Sequence, residues 1–327
     1  MKNRVFLLKV SLSVLITLLI VRYLNLNDAW SILRRIQIHY LAIAFLIINA
    51  DRVFMACKWK ILLKAKRLDS PLFSLIRAYY LSSFLSPVLP TTVGDDVVRG
   101  VSATKTGIGS DNIFSSIVIE RILGMLSLFL LALLTLGFFV HGKYRYFEHI
   151  LIYVAVFLVL SFVVFYYSLE KKFSIENIQK KLPASSNKIV SFFSNIYLSY
   201  MDYRNYKKHL LVFFFLSMIE HLIIVYMNYV IIKGLGFQVS FVSMLYTIPT
   251  IMFLSRLPIS IGQIGIQEGA YVMLLSLVGL SLTDSVMISV VKRLVIFVSV
   301  LPVFLFSLAS GEGKALGPFS SVKEKSP

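Results

Sequence analysis

Five groups of ionisable residues interrupt sequence that is otherwise apolar. Asp95, Asp96 and Arg99 follow Gly94 just after the Leu89-Pro90 step; Glu120-Arg121 falls inside a long apolar run; Glu220-His221 falls inside another. Glu268 lies between Gly265 and Gly269, and Lys292-Arg293 precedes a last apolar stretch. A charge within hydrocarbon costs a few kcal/mol, so such residues pair with one another or line a wet cavity. Their chemistry is that of anion recognition. A half-helix starting near Gly94 offers free backbone amides and the positive end of its dipole, with Arg99 one turn further on. A phosphate fits that environment once Arg99, Arg121 or Arg293 neutralises the two aspartates. Asp95 reads as the N-cap of the helix that follows.

Arg121 is the foremost candidate. Adjacent helical residues point about 100° apart, so Glu120 and Arg121 must each find partners on other helices, with Gly124 one turn below leaving room for close approach. Glu268 could pair with Arg121 or Arg293, or Gly265 and Gly269 could mark only a packing surface. Lys292 and Arg293 fit either a site or snorkelling to an interface. Glu220-His221 reads as a proton relay or an interhelical hydrogen bond, and Asp51-Arg52 as a helix contact or an interface marker. His39, His141, His149 and His209 fall at the edges of apolar runs without metal-site spacing. The single Cys57 allows no intrachain disulfide and no cysteine metal site. No metal and no cofactor is expected.

The elements that must hold these residues follow from composition. The 327 residues are 57% hydrophobic and 15% charged, with a mean hydropathy of +0.81. Soluble domains are roughly 45–50% apolar. The fold class is therefore all-α, a polytopic helical membrane protein. Runs meeting the requirement of about 20 apolar residues cover 6–24, 40–57, 113–140, 150–168, 210–232 and 286–310. Lys2, Arg4 and Lys9 precede the first, and no small-x-small cleavage site follows before Asn25, so it reads as an uncleaved anchor. Two further runs, 72–89 and 241–257, break at Pro90/Gly94 and at Pro258/Gly262, because proline removes a donor and glycine weakens a helix.

The net charge of +17 is distributed as clusters between apolar runs, which argues for membrane orientation and against nucleic acid. Lys58, Lys60, Lys64, Lys66 and Arg67 mark one cytoplasmic loop; eight Lys and Arg residues from Lys171 to Lys208 mark a second; both termini fall on the same side. Three apolar regions separate the two loops, yet the number of full crossings must be even, so the region around 89–99 is re-entrant. The same parity makes 241–280 re-entrant from the opposite face. The breaks echo each other, Leu89-Pro90-Thr91-Thr92-Val93-Gly94 and Leu257-Pro258-Ile259-Ser260-Ile261-Gly262. Paired interrupted segments of opposite topology are the pattern of an inverted-repeat transporter. The chain divides as one transmembrane domain over 1–310, with a first half 1–168, a cytoplasmic linker 169–209, a second half 210–310, and a disordered tail 311–327. Within the linker, Ile189, Phe193, Ile196, Tyr197 and Tyr200 have the spacing of an amphipathic helix lying along the membrane surface.

Three stretches carry a family resemblance. Leu89-Pro90…Gly94-Asp95-Asp96-Val97-Val98-Arg99, Ser116…Glu120-Arg121…Gly124 and Leu257-Pro258…Gly262…Gly265-Ile266-Gln267-Glu268-Gly269-Ala270 resemble, in order, the signatures of the lysylphosphatidylglycerol synthase transmembrane family, the flippase-like domain. Asp95, Gln263 and Gln267 depart from the two glycines and the arginine usual in that pattern. The resemblance implies lipid translocation without the soluble aminoacyl-transferase domain, hence no synthase activity.

The expected function is movement of an anionic, aminoacylated or polyprenyl-phosphate-linked lipid between leaflets. Gly94, Asp96, Arg99, Glu120, Arg121, Gly262, Glu268 and Arg293 are the candidate headgroup-binding residues. No phosphate-binding loop for ATP occurs. A membrane glycosyltransferase of envelope assembly and a non-transporting scaffold are the alternatives. The expected partners are the membrane lipid and, for the scaffold, envelope-assembly enzymes; the expected location is a prokaryotic inner membrane with both termini cytoplasmic.

Overall fold

A computed structural model of the chain describes residues 26–86, 94–140, 187–256 and 265–309, with Arg22, several positions within 156–167 and Gln263. The predicted spans 6–24 and most of 150–168, the Leu89-Pro90 and Leu257-Pro258 steps, Gly262 and the tail lie outside the described residues. The described residues form ten α-helices and two short 3₁₀ turns: α1 Leu26–Arg34, α2 Ile38–Ala65, α3 Leu72–Leu85, α4 Gly94–Thr104, α5 Ser110–Val140, α6 Asn187–Met201, α7 Lys207–Gly234, α8 Phe241–Ser255, α9 Ile266–Leu275 and α10 Leu282–Ala309.

Among the described residues four helical stretches are long and apolar enough to cross a membrane: Ile38–Ala65, Ser110–Thr135, Ser194–Gly234 and Leu282–Val303. The burial pattern is that of helices packed within lipid. Along α7, Leu211, Phe215, Ile219, Leu222 and Tyr226 are exposed, whereas Ser217, Glu220, His221 and Asn228 are buried. Hydrocarbon solvates the first stripe, and only neighbouring helices can satisfy the second.

Helix lengths repeat along the chain. The series α2, α3, α4, α5 has 28, 14, 11 and 31 residues, and α7, α8, α9, α10 has 28, 15, 10 and 28. Packing repeats as well: α3 lies on α4 as α8 lies on α9, α5 packs on α8, and α10 packs on α3, while α2 and α7 face each other. Each half's final span thus covers the broken pair of the other half. At about 1.5 Å per residue, the members of these broken pairs are too short to cross roughly 30 Å of hydrocarbon singly. The expected interruption of both regions is therefore present as short helices flanking each break.

One expectation is corrected. Lys58 does not belong to a loop: α2 continues to Ala65, and Lys58 is buried against α7, paired with Glu220. The apolar run ends at Cys57, but the backbone remains helical because lysine is a good helix former. The linker helix forms as α6, and its C-terminal half packs one face on protein. Ser194, Ser199, Tyr200 and Met201 are buried, and Tyr200 and Met201 join a cluster with Leu62, Ile119 and Phe213. Lys66 fastens this helix by donating to Asn112 Oδ1 (2.9 Å) and Ser199 O (2.9 Å), with Asp202 at 3.4 Å. Burial draws this ammonium below its ordinary lysine value.

Candidate functional site

A cavity of about 220 Å³ opens where the two halves meet. α2 contributes Arg52 and Lys58, α3 contributes Tyr79, α4 contributes Asp95, Asp96 and Arg99, and α5 contributes Glu120, Arg121 and Gly124. From the second half come Glu220 and His221 of α7, Arg256 at the end of α8, and Gln263. Its volume accommodates several waters at about 30 Å³ each.

α4 starts at Gly94, which places Asp95 and Asp96 in its first turn and Arg99 one turn on. Asp95 is thus a first-turn residue rather than the N-cap, and its carboxylate still complements the helix dipole. Arg99 reaches the neighbouring span, donating from Nη1 to Glu120 Oε1 at 2.7 Å and from Nη2 to Asp96 Oδ1 at 3.2 Å. Tyr79 donates to the same Glu120 oxygen at 2.6 Å, and the guanidinium lies over the Trp59 and Tyr79 rings at 4.8 and 4.6 Å. Trp59 is fixed in turn by donating to Ser116 at 2.9 Å. Arg121 Nε pairs with Asp96 Oδ2 at 2.9 Å. As adjacency on a helix requires, Glu120 and Arg121 engage different partners, and Asp96 bridges two arginines.

Glu268 pairs with Arg293 at 2.8 Å, not with Arg121. It also accepts from Gly265 N at 2.6 Å, closing the first turn of α9, while Arg293 Nη2 donates to Gln263 O at 3.2 Å. Glu268 and Arg293 are not among the residues lining the cavity, and Arg293 connects to it through Gln263. The two ion pairs occupy equivalent places. Asp96 and Glu268 are each the third residue of a short helix, and Arg121 and Arg293 are each the twelfth residue of the following span. The other member of each dipeptide matches too: Glu120 holds Arg99, while Lys292 donates to Tyr271 at 3.0 Å, and Tyr271 donates to Asn228. Lys292 and Arg293 are therefore fixed by polar partners inside the helix bundle rather than left to snorkel.

Glu220-His221 makes interhelical hydrogen bonds. His221 Nε2 lies 3.0 Å from Gly124 O and 3.1 Å from Ser127 Oγ, while Glu220 accepts from Lys58. His221 meets Gly124 at its backbone carbonyl, while nothing lies within 4 Å of the place a Cβ would take, so the close approach expected at the missing side chain is not made among the described residues. Asp51-Arg52 and Glu220-His221 stand at the same helix positions, fourteenth and fifteenth, of the equivalent helices α2 and α7.

Sequence reasoning missed Lys58, Arg256, Trp59 and Tyr79, and set Arg52 aside. Arg52, Met55 and Lys58/Trp59 follow a helical spacing that continues past the apolar run, which is the signal for a polar face. Arg256 stands two residues before Pro258, at the end of a broken helix. The departures from the family pattern also acquire a geometry. Gln263 has φ 61°, in the left-handed region where the usual glycine is unstrained, and Gln267 is buried. Among the described residues no group of three or more His, Cys, Asp or Glu is arranged to hold a metal.

Fold and site together define a polytopic helical membrane protein built from two structural repeats, with a charged cavity at their interface. The chain belongs to the lysylphosphatidylglycerol synthase TM region family, whose model matches residues 6–303. Membership places it among membrane proteins of lipid or envelope metabolism. No curated protein and no solved structure matches it.

Proposed function

We propose that this protein translocates a phosphate-bearing lipid between membrane leaflets, with the headgroup passing through the cavity and the acyl or polyprenyl chains remaining in lipid. The observation that carries this reading is the position of the cavity: it is charged, large enough for water, and bounded by both repeats near the two broken helix pairs. A site at a repeat interface is the arrangement that alternating access requires, because relative movement of the halves exposes it to each side in turn. Asp96, Arg99, Glu120 and Arg121 form the polar wall, while Glu268 and Arg293 hold the equivalent break of the second half. The positively charged clusters between apolar runs support an orientation with both termini on the cytoplasmic side of a prokaryotic inner membrane.

The test is leaflet exchange of quenchable lipids in liposomes containing the purified chain. Wild type should accelerate exchange, and Asp96→Asn and Arg121→Gln, each freeing one member of the 2.9 Å pair, should reduce it at least tenfold while remaining folded. No acceleration with phosphatidylglycerol, aminoacylated lipid or polyprenyl phosphate would refute translocation. Turnover of a polyprenyl-phosphate sugar donor in detergent would instead favour a glycosyltransferase.

A further inference from the structure

Five cationic side chains line the cavity: Arg52, Lys58, Arg99, Arg121 and Arg256. Three are neutralised by direct ion pairs, Lys58 by Glu220, Arg99 by Asp96 and Glu120, and Arg121 by Asp96. Arg52 and Arg256 differ: among the described residues neither has a carboxylate within salt-bridge distance. Arg52 donates from Nη1 only to the Met55 sulfur at 3.3 Å, a weak acceptor, and its buried Nε has no hydrogen-bond partner. The Arg256 guanidinium makes no hydrogen bond among the described residues; it feels Glu220, Asp95 and Asp96 only through the field. A guanidinium carries five donors in a rigid fork suited to phosphate oxygens, and leaving them unused in a membrane-embedded site is costly.

We infer that Arg52 and Arg256 form the anion seat of this cavity, a pair of guanidiniums, one from each repeat, that takes a phosphate or phosphodiester group. The charges at the first break then have a supporting role: Asp96, Arg99, Glu120 and Arg121 satisfy one another and shape the wall, and their ion pairs leave little net attraction for an anion. A ligand bridging Arg52 and Arg256 ties α2 of the first half to the end of α8 in the second. Its binding therefore couples to the relative position of the halves, which gives the headgroup differential contacts with two states, as a transported ligand must have. Asp95 is the counterweight. It lines the same cavity, its buried Oδ1 has no partner, and its charge lies in the field of Arg256.

The inference rests on the translocase reading only for treating the ligand as a lipid, so binding and transport are measured separately. Binding is read by thermal stabilisation of the full chain in detergent with three probes: dihexanoyl-phosphatidylglycerol, inorganic phosphate, and phosphate-free dihexanoylglycerol. Arg52→Gln and Arg256→Gln should each weaken binding of the first probe by about ten- to a hundredfold, the loss of charge-assisted hydrogen bonds. Arg52→Lys and Arg256→Lys should recover part of it, and Lys233→Gln, a surface neutralisation on α7, should change nothing. Asp95→Asn should tighten binding several-fold, a gain that misfolding cannot produce. Competition by inorganic phosphate shows that the seat recognises the phosphate itself; stabilisation by dihexanoyl-phosphatidylglycerol alone assigns it to a lipid headgroup. Unchanged binding in a folded Arg52→Gln/Arg256→Gln variant, or equal binding of dihexanoylglycerol, overturns the seat. Arginine-dependent binding without leaflet exchange would refute translocation and leave the seat standing, whereas exchange undiminished in both Gln variants would refute the seat alone.

Discussion

Removing one member of the Lys58–Glu220 pair should destabilise the protein far more than removing both. The side chains are 3% and 5% exposed, Lys58 also donates to Ser217 Oγ at 3.1 Å, and its ammonium lies 4.7 Å above the Phe213 ring. Glu220→Gln leaves a buried ammonium with only neutral partners; Lys58→Met leaves a buried carboxylate. Breaking a buried pair from one side costs about 3–5 kcal/mol in a dry interior. Both residues line a cavity of about 220 Å³, whose water partly solvates the orphaned charge, so we expect about 2–4 kcal/mol for each single variant. The double variant Lys58→Met/Glu220→Gln removes both charges and should recover most of the loss, leaving about 1 kcal/mol and so a coupling energy of about 3–7 kcal/mol. Denaturant unfolding of the purified protein in detergent measures all four corners of the cycle. Single-variant costs below about 1 kcal/mol, the range of exposed pairs, or strict additivity in the double variant would refute the argument that α2 and α7 bury this pair against each other.

Three further outcomes follow from particular contacts. In Gly100→Val the new Cβ would stand 2.6 Å from Phe114 Cε1; overpacking of α4 against α5 should cost about 1–3 kcal/mol in the same unfolding assay. Gln263→Gly should raise the unfolding midpoint by an amount equivalent to about 1 kcal/mol, because a side chain at φ 61° carries strain that glycine lacks; a lower midpoint would show that the Gln263 amide contributes more than the strain removes. Lys66→Met removes the donor shared by Asn112 and Ser199 and should destabilise the attachment of α6 by about 2–3 kcal/mol, read as faster proteolysis within that helix.

The sequence alone determined the membrane class, the described spans and the two interruptions, because each rests on local physics: continuous apolar runs set span length, and Pro and Gly break helices wherever they fall. It also marked Asp96, Arg99, Glu120 and Arg121 as partners in waiting, since charges in apolar surroundings must pair. What it left undecided was the pairing itself. Glu268 had two arginines within reach by reasoning, and only the packing of α9 on α10 selects Arg293 over Arg121. Lys58 read as a loop charge because hydropathy ends at Cys57, whereas its environment is set by α7, more than 150 positions away in the chain. Arg52 and Arg256 are ordinary surface-type residues in one dimension. Their convergence on one cavity, where Asp96, Glu120 and Glu220 are already engaged by other cations, is a property of how two repeats meet, and no local pattern encodes which charges that meeting leaves unpaired.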